Sequence, residues 1–283
     1  MQNTGRQVLR DLLRNFSAEV LAKDEKGIQA ARAMPPGSEV FVANLPNESL
    51  DQLVRGCAQV QQLGMVPVPH IVARNIRDAA ELDRTLAQLV QDAGVHTALV
   101  LAGDRDQPVG DFASSLQVLS TGLFRKHGVE RVALACHPEG HPRVSGAVLW
   151  PALFEKIEGA RSEGLNPYLV SQFAFGAEPI VAFTRKLRAA GETAPLRVGV
   201  AGPAKRATLI KFALLCGVGA SLKALKERQE LSRNMLAGEA PEALLNALAQ
   251  AQAAEPGLGF DSVHFFTFGS LAASVELALA LRS

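Results

Sequence analysis

The chain lacks several features that would have fixed its class at once. Its 283 residues hold three cysteines, Cys57, Cys136 and Cys216, with no Cys-x-x-Cys pair. That removes a zinc knuckle and a disulfide framework and leaves reduced thiols as the expectation. The net charge is only +1, so no dedicated nucleic-acid or acidic-membrane surface is expected. No apolar stretch reaches the roughly 18 uninterrupted residues of a membrane span. Arg6, Arg10, Asp11 and Arg14 interrupt the apolar residues near the start, which argues against a secretory core. Neither a Rossmann glycine fingerprint nor a full phosphate-loop spacing occurs, so nothing discriminates NADH from NADPH. These absences point to a cytoplasmic protein whose partner is a small molecule, and they leave the oligomeric state open.

What is present is rhythm. With 48% of the residues apolar, eight short apolar runs alternate with helix-like stretches: Asn15 to Leu21, Glu39 to Leu45, Met65 to Ala73, His96 to Gly103, Arg131 to His137, Tyr168 to Phe175, Arg197 to Ala201 and Ser262 to Phe268. This alternation predicts an α/β fold, a single (β/α)8 TIM barrel spanning 1–283, close to the typical length of about 250 residues. Val8, Leu9, Leu12 and Leu13 predict an N-terminal amphipathic helix over Gln7 to Arg14, placed to plug the bottom of the barrel. A helix from Ser49 ends at Gly64, and Asn75 is placed to cap the next one, which Gly94 closes. The span from Pro203 to Asp261 is too long for one crossover. Its periodicity predicts a helical insertion between strands seven and eight that builds a lid or substrate wall.

Polar residues recur at the carboxyl ends of the runs, where the active sites of such barrels lie. Glu19 stands among Phe16, Ala18, Val20 and Leu21. In that setting a carboxyl group is desolvated, its pKa rises and it becomes a general acid near neutrality; in solvent or an ion pair it would be inert. Asn44 ends the second run and His70 the third, where a neutral imidazole either hydrogen-bonds a ligand carbonyl or is a satisfied structural residue. In Gly103-Asp104 the glycine permits close backbone approach, and the carboxylate either accepts two parallel N–H donors or opens an Asx turn. His137 and His141 flank Glu139 in a proline-stiffened loop, better suited to contacting a cofactor than to binding a metal, because no helical face aims both rings at one ion. Gln172 offers a donor and an acceptor on the sixth run. Lys205 and Arg206 follow the seventh, a common anion site of the fold, although a solvated helix start reads equally well.

The order of these motifs resembles the methylenetetrahydrofolate reductase family. Phe16-Ser17-Ala18-Glu19-Val20 is similar to its first-strand F-E-F-F, Pro69-His70 to its third-strand P-H, and Leu101-Ala102-Gly103-Asp104 to its L-R-G-D. His137-Pro138-Glu139-Gly140-His141-Pro142 resembles Y-P-E-x-H-P, Ser171-Gln172-Phe173-Ala174-Phe175 resembles T-Q-F-F-F, and His264-Phe265-Phe266-Thr267 resembles H-F-Y-T. The resemblance implies reduction of 5,10-methylenetetrahydrofolate to the 5-methyl form with NAD(P)H through FAD. It makes Glu19 and Asp104 catalytic. Substrate contacts fall on Glu19, Asp104, Gln172 and Phe175, and cofactor contacts on Asn44, His70, Gly103, Asp104, His137 and His141. The chain departs from the pattern at Ala102, His137, Val42 to Leu45, Gly269 and Ser270, mostly positions of flavin or substrate contacts, so the folate half of the site is better kept than the flavin half. Direct hydride transfer without flavin, and a folate- or nucleotide-binding barrel without catalysis, therefore stay open beside the flavoenzyme reading.

Overall fold

The computed structural model describes residues 2–46, 48–218 and 241–283. Eight parallel strands close a barrel in chain order: β1 (Ser17–Leu21), β2 (Glu39–Ala43), β3 (Val66–Val72), β4 (Thr97–Leu101), β5 (Arg131–Cys136), β6 (Asn166–Ser171), β7 (Leu196–Ala201) and β8 (Phe260–Phe266). Each lies within one of the eight apolar runs or overlaps it by all but one or two residues. Strands covered on both faces need near-continuous apolar sequence, which is why they were legible. Closure is made where Ser17 and Ala18 of β1 pair with His264 and Phe265 of β8.

The helices follow from their ends. In the helix Leu50–Gln62, Ser49 accepts the amide hydrogen of Gln52. In the helix Ala79–Ala93 the cap is Asp78, whose side chain accepts from Glu81 N, and Gly94 closes the helix at φ 58°. Asn75 is therefore not the cap. It lies in a 3-10 turn, Ala73–Asn75, that precedes an extended Ile76, so the helix starts three residues later than its sequence signal implied. The N-terminal helix spans Gln2–Leu12. It packs chiefly against the helix Glu242–Ala254 and also touches β8, so its described role is to cover that helix. Of the expected insertion, the helices Arg206–Cys216 and Glu242–Ala254 are present. Residues 219–240, on which the lid reading also rests, lie outside the described residues.

Contacts within the chain group into two compact units. One comprises 1–18, 136–149 and 170–283, the other 19–135 and 150–169. The second contains a polar network at the amino-terminal ends of its strands. Glu39, at the start of β2, accepts Arg131 Nη1 at 2.9 Å and Tyr168 Oη at 2.9 Å. The Arg131 guanidinium also lies 4.8 Å from the Tyr168 ring centre. Three strands are thus tied by one carboxylate whose side chain is 10% exposed. Glu39→Ala leaves a buried phenol without its acceptor and a cation without its partner. It should cost about 2–3 kcal/mol of stability in urea unfolding, against about 1 kcal/mol for Tyr168→Phe.

Candidate functional site

In the unit built on 19–135 and 150–169, β1 and β3 bring Glu19 and His70 together. Alternate strands of a barrel contribute side chains to one interior layer, so a residue of β1 and one of β3 can meet across β2. His70 Nε2 lies 3.6 Å from Glu19 Oε2. The Phe41 ring of β2 stands edge-on to the imidazole, with centroids 6.3 Å apart at 80°. Val20, Phe41, Val42, Val68 and Ile71 are all buried. Burial pushes the Glu19 carboxyl up from 4.5 to about 7 and the His70 imidazole down from 6.5 to about 4. The cause in both cases is loss of hydration, which penalises the charged form. Between those two values the pair is therefore an acid beside a neutral ring. Its separation agrees, being longer than a hydrogen bond. A quarter of the Glu19 side chain stays accessible, so its proton can reach a ligand.

Asn44, just beyond β2, donates from Nδ2 to Glu48 O and Ser49 O at 3.4 Å each. Its Oδ1 is buried without a hydrogen-bond partner, as is His70 Nε2. Buried polar atoms without a protein partner are uncommon, and an ordered water, an ion or a ligand can supply the missing bond. Gly103 has φ 97°, and a Cβ there would fall 2.4 Å from a Val72 methyl. Only glycine lets the chain turn so close to β3, and that turn delivers Asp104, which is solvent-exposed.

Two arginines that the motifs passed over fix this loop. Arg74 donates from Nε to Ala113 O at 2.9 Å and from Nη1 to Arg105 O at 2.7 Å. Arg105 donates from Nε to Asn75 Oδ1 at 2.8 Å and from Nη2 to Pro46 O at 2.7 Å. The loops after β2, β3 and β4 are thereby stitched into one piece. The acceptors are mostly backbone carbonyls distant in sequence, which no local signal marks.

In the other unit, Gln172 lines a shallow surface crevice with Pro138, Glu139, Gly140, Phe173, Ala174, Cys216 and Val218. The Gln172 side-chain oxygen accepts Phe173 N at 3.0 Å, which leaves the amide NH2 as the end best placed to serve a ligand. His137 and His141 meet edge-on, centroids 5.2 Å apart, and His141 Nδ1 accepts Arg143 N at 3.2 Å. Among the described residues no cluster of three or more His, Cys, Asp or Glu could hold a metal ion. Phe175, expected at the substrate, instead packs edge-on to Phe173 in an apolar cluster with Phe212, Phe266 and Phe268, and does not line the crevice. Phe268 adopts a left-handed φ of 47°, a strained conformation for an aromatic residue. Lys205 and Arg206 are exposed at the start of the helix Arg206–Cys216, and Thr267 is buried.

No protein-family model matches the chain. Among solved structures it is similar to an inferred phosphonomutase from Burkholderia cenocepacia, with a TM-score of 0.54, 10% identity and coverage of 99% of this chain and 97% of that one. It is also similar to the dihydropteroate synthase of Thermus thermophilus (TM-score 0.49, 16% identity, 94% of each chain). A third likeness is to the 3-dehydroquinate dehydratase of Aquifex aeolicus (TM-score 0.49, 10% identity, 94% of this chain and 96% of that one). At 10% identity the likeness to the first of these bears on the barrel fold alone. No described helix is long and apolar enough to cross a membrane.

The opposed pKa shifts have a measurable consequence. The folded Glu19 keeps its proton up to about pH 7, whereas an unfolded carboxyl loses it near 4.5. The folded state then binds more protons across that window, and stability falls as pH rises through it. For His70 the folded state binds fewer protons between about 4 and 6.5, so stability rises there with pH. Wild type should therefore show a nearly flat profile between pH 4.5 and 6.5. Glu19→Gln removes the falling limb. It should match wild type near pH 4 and exceed it by up to about 3 kcal/mol at pH 8 in urea unfolding. Parallel profiles would mean that Glu19 is ionised in the folded protein.

Proposed function

We propose that this chain is an oxidoreductase that reduces 5,10-methylenetetrahydrofolate with NAD(P)H. The observation that carries the reading is a carboxyl held protonated near neutrality on β1, at the place where the sequence resembles the first-strand motif of the methylenetetrahydrofolate reductases. A group poised near the working pH is the most effective proton donor. Its exposed fraction opens it to a ligand.

In this reading Glu19 gives its proton to N10 of the bridged folate. The methylene–N10 bond breaks with its electron pair going to N10, and the methylene carbon remains on N5 as an iminium. A hydride closes the reaction by making that carbon a methyl group. The folate gains two electrons and the nicotinamide loses them. Asp104, fixed by the turn at Gly103, favours the positive charge that develops on the pterin. The apolar side chains around Glu19 exclude water, which would otherwise hydrolyse the iminium.

FAD fits the donor set present at one point. The buried Asn44 Oδ1 without a partner suits a ring N–H, and Asn44 and Gly103 would hold the edge of the flavin. When bound, the reduced flavin supplies the hydride.

The visible spectrum of the purified protein, followed by NADH and NADPH oxidation with and without methylenetetrahydrofolate, tests the reading. Flavin absorbance with folate-dependent oxidation is the expected result. A colourless protein with the same oxidation keeps the reductase and removes the flavin. No oxidation, with or without added FAD, removes the reductase. Glu19→Gln should lower kcat by about 100-fold or more while folate affinity changes little.

A further inference from the structure

We propose that His70 is a positioning residue for Glu19, acting through an Nε2–H that takes up the charge left on the carboxyl group when it gives away its proton. This deepens the reductase reading and rests on Glu19 being a proton donor.

Four observations lead to it. Nε2 is buried without a hydrogen-bond partner, so it has no described structural duty at rest. The atom facing it across 3.6 Å is an oxygen of the proposed acid. That distance is too long for a bond between neutral groups, yet a side-chain adjustment of about 1 Å brings it to the roughly 2.7–2.9 Å of a charge-assisted N–H···O⁻ bond. The imidazole is also held in place. It is 9% exposed within β3, and Phe41 stands against it, so the donor does not swing to another acceptor.

A carboxylic acid in an apolar layer has an inherent difficulty. Burial keeps the proton on until neutrality, and the same burial makes the resulting carboxylate costly. A donor that is idle with the acid and engaged with its anion removes the difficulty, because it stabilises only the state reached during proton transfer. The proton goes from Glu19 to substrate nitrogen, and none leaves His70. The carboxylate keeps the Nε2–H bond until water restores the proton after product departs.

Several ionisable groups on the neighbouring elements have partners of their own or are exposed. Lys23, after β1, pairs with Glu48 of the β2 loop at 2.9 Å. Arg74 and Arg105, of the β3 and β4 loops, are bonded to carbonyl oxygens, and Asp104 is exposed. On β8, His264 Nδ1 is bonded to Ser17 Oγ at 2.9 Å.

The test reads the carboxyl group itself, without substrate. In protein labelled with 13C at the glutamate carboxyl, the Glu19 signal is assigned by its loss in Glu19→Gln and titrated by NMR. His70→Phe should move its midpoint upward by at least one pH unit. His70→Asn, which keeps a side-chain N–H, should bring it back to within half a unit of wild type. With methylenetetrahydrofolate as substrate, His70→Phe should lower kcat about 10- to 100-fold with little change in KM, and His70→Asn should recover part of the loss. A midpoint unmoved or lowered in His70→Phe overturns the proposal. So does a raised midpoint that His70→Asn fails to restore, since desolvation alone then explains it. The titration separates two failures: a shifted and rescued midpoint without turnover leaves the pair and removes the reductase, whereas turnover with an unmoved midpoint removes the pair alone. Should His70→Phe not fold, the comparison of His70→Asn with His70→Ala decides in the same way.

Discussion

Phe41 and Val68, buried on β2 and β3, stand on the side of the sheet where Glu19 and His70 face each other, and both groups are governed by the exclusion of water there. Hydration is what lets a carboxylate and an imidazolium exist at ordinary pKa values. Once it is withheld, the acid keeps its proton, the base refuses one, and an apparent ion pair becomes two neutral groups. The same packing sets the imidazole against Phe41 and leaves its Nε2 3.6 Å from the carboxyl oxygen. Chemistry and geometry at this point therefore have one cause, the closeness with which three apolar strands are packed.

Around that layer the backbone is organised by hydrogen bonds from arginine. Arg74 and Arg105 direct their guanidinium hydrogens to carbonyl groups of the loops after β2 and β4 and to Asn75. Loops are otherwise the mobile parts of a barrel. Here the turn at Gly103 and the arginine stitches hold Asp104 on a supported loop while leaving its side chain in solvent.

The strands were legible because burial on both faces demands apolar runs, and Gly64 and Gly94 marked helix ends because their positive φ angles suit glycine. Asn75 misled because Asn and Asp cap equally well, and Asp78, three residues on, captured the helix start. Glu19 could be singled out since its apolar neighbours mark a strand buried on both faces. Its pairing with His70 could not, because it depends on barrel layering. Phe175 carried the right motif yet went into the apolar cluster around Phe173, a choice made by side-chain packing. The Glu39, Arg131 and Tyr168 network joins residues 92 and 129 positions apart, with nothing local to announce it.

That network sits where β2, β5 and β6 begin, while the Glu19 layer and the stitched loops lie toward the other ends of β1 to β4. The two ends of these strands are thus specialised in opposite ways. Rigidity is concentrated at the amino-terminal ends, in a carboxylate shared between a phenol and a guanidinium. Discomfort is kept toward the carboxyl-terminal ends, in a buried acid and two unmatched polar atoms. Such a partition lets the Glu19 end accept substitutions that would unfold a protein lacking so firm a base.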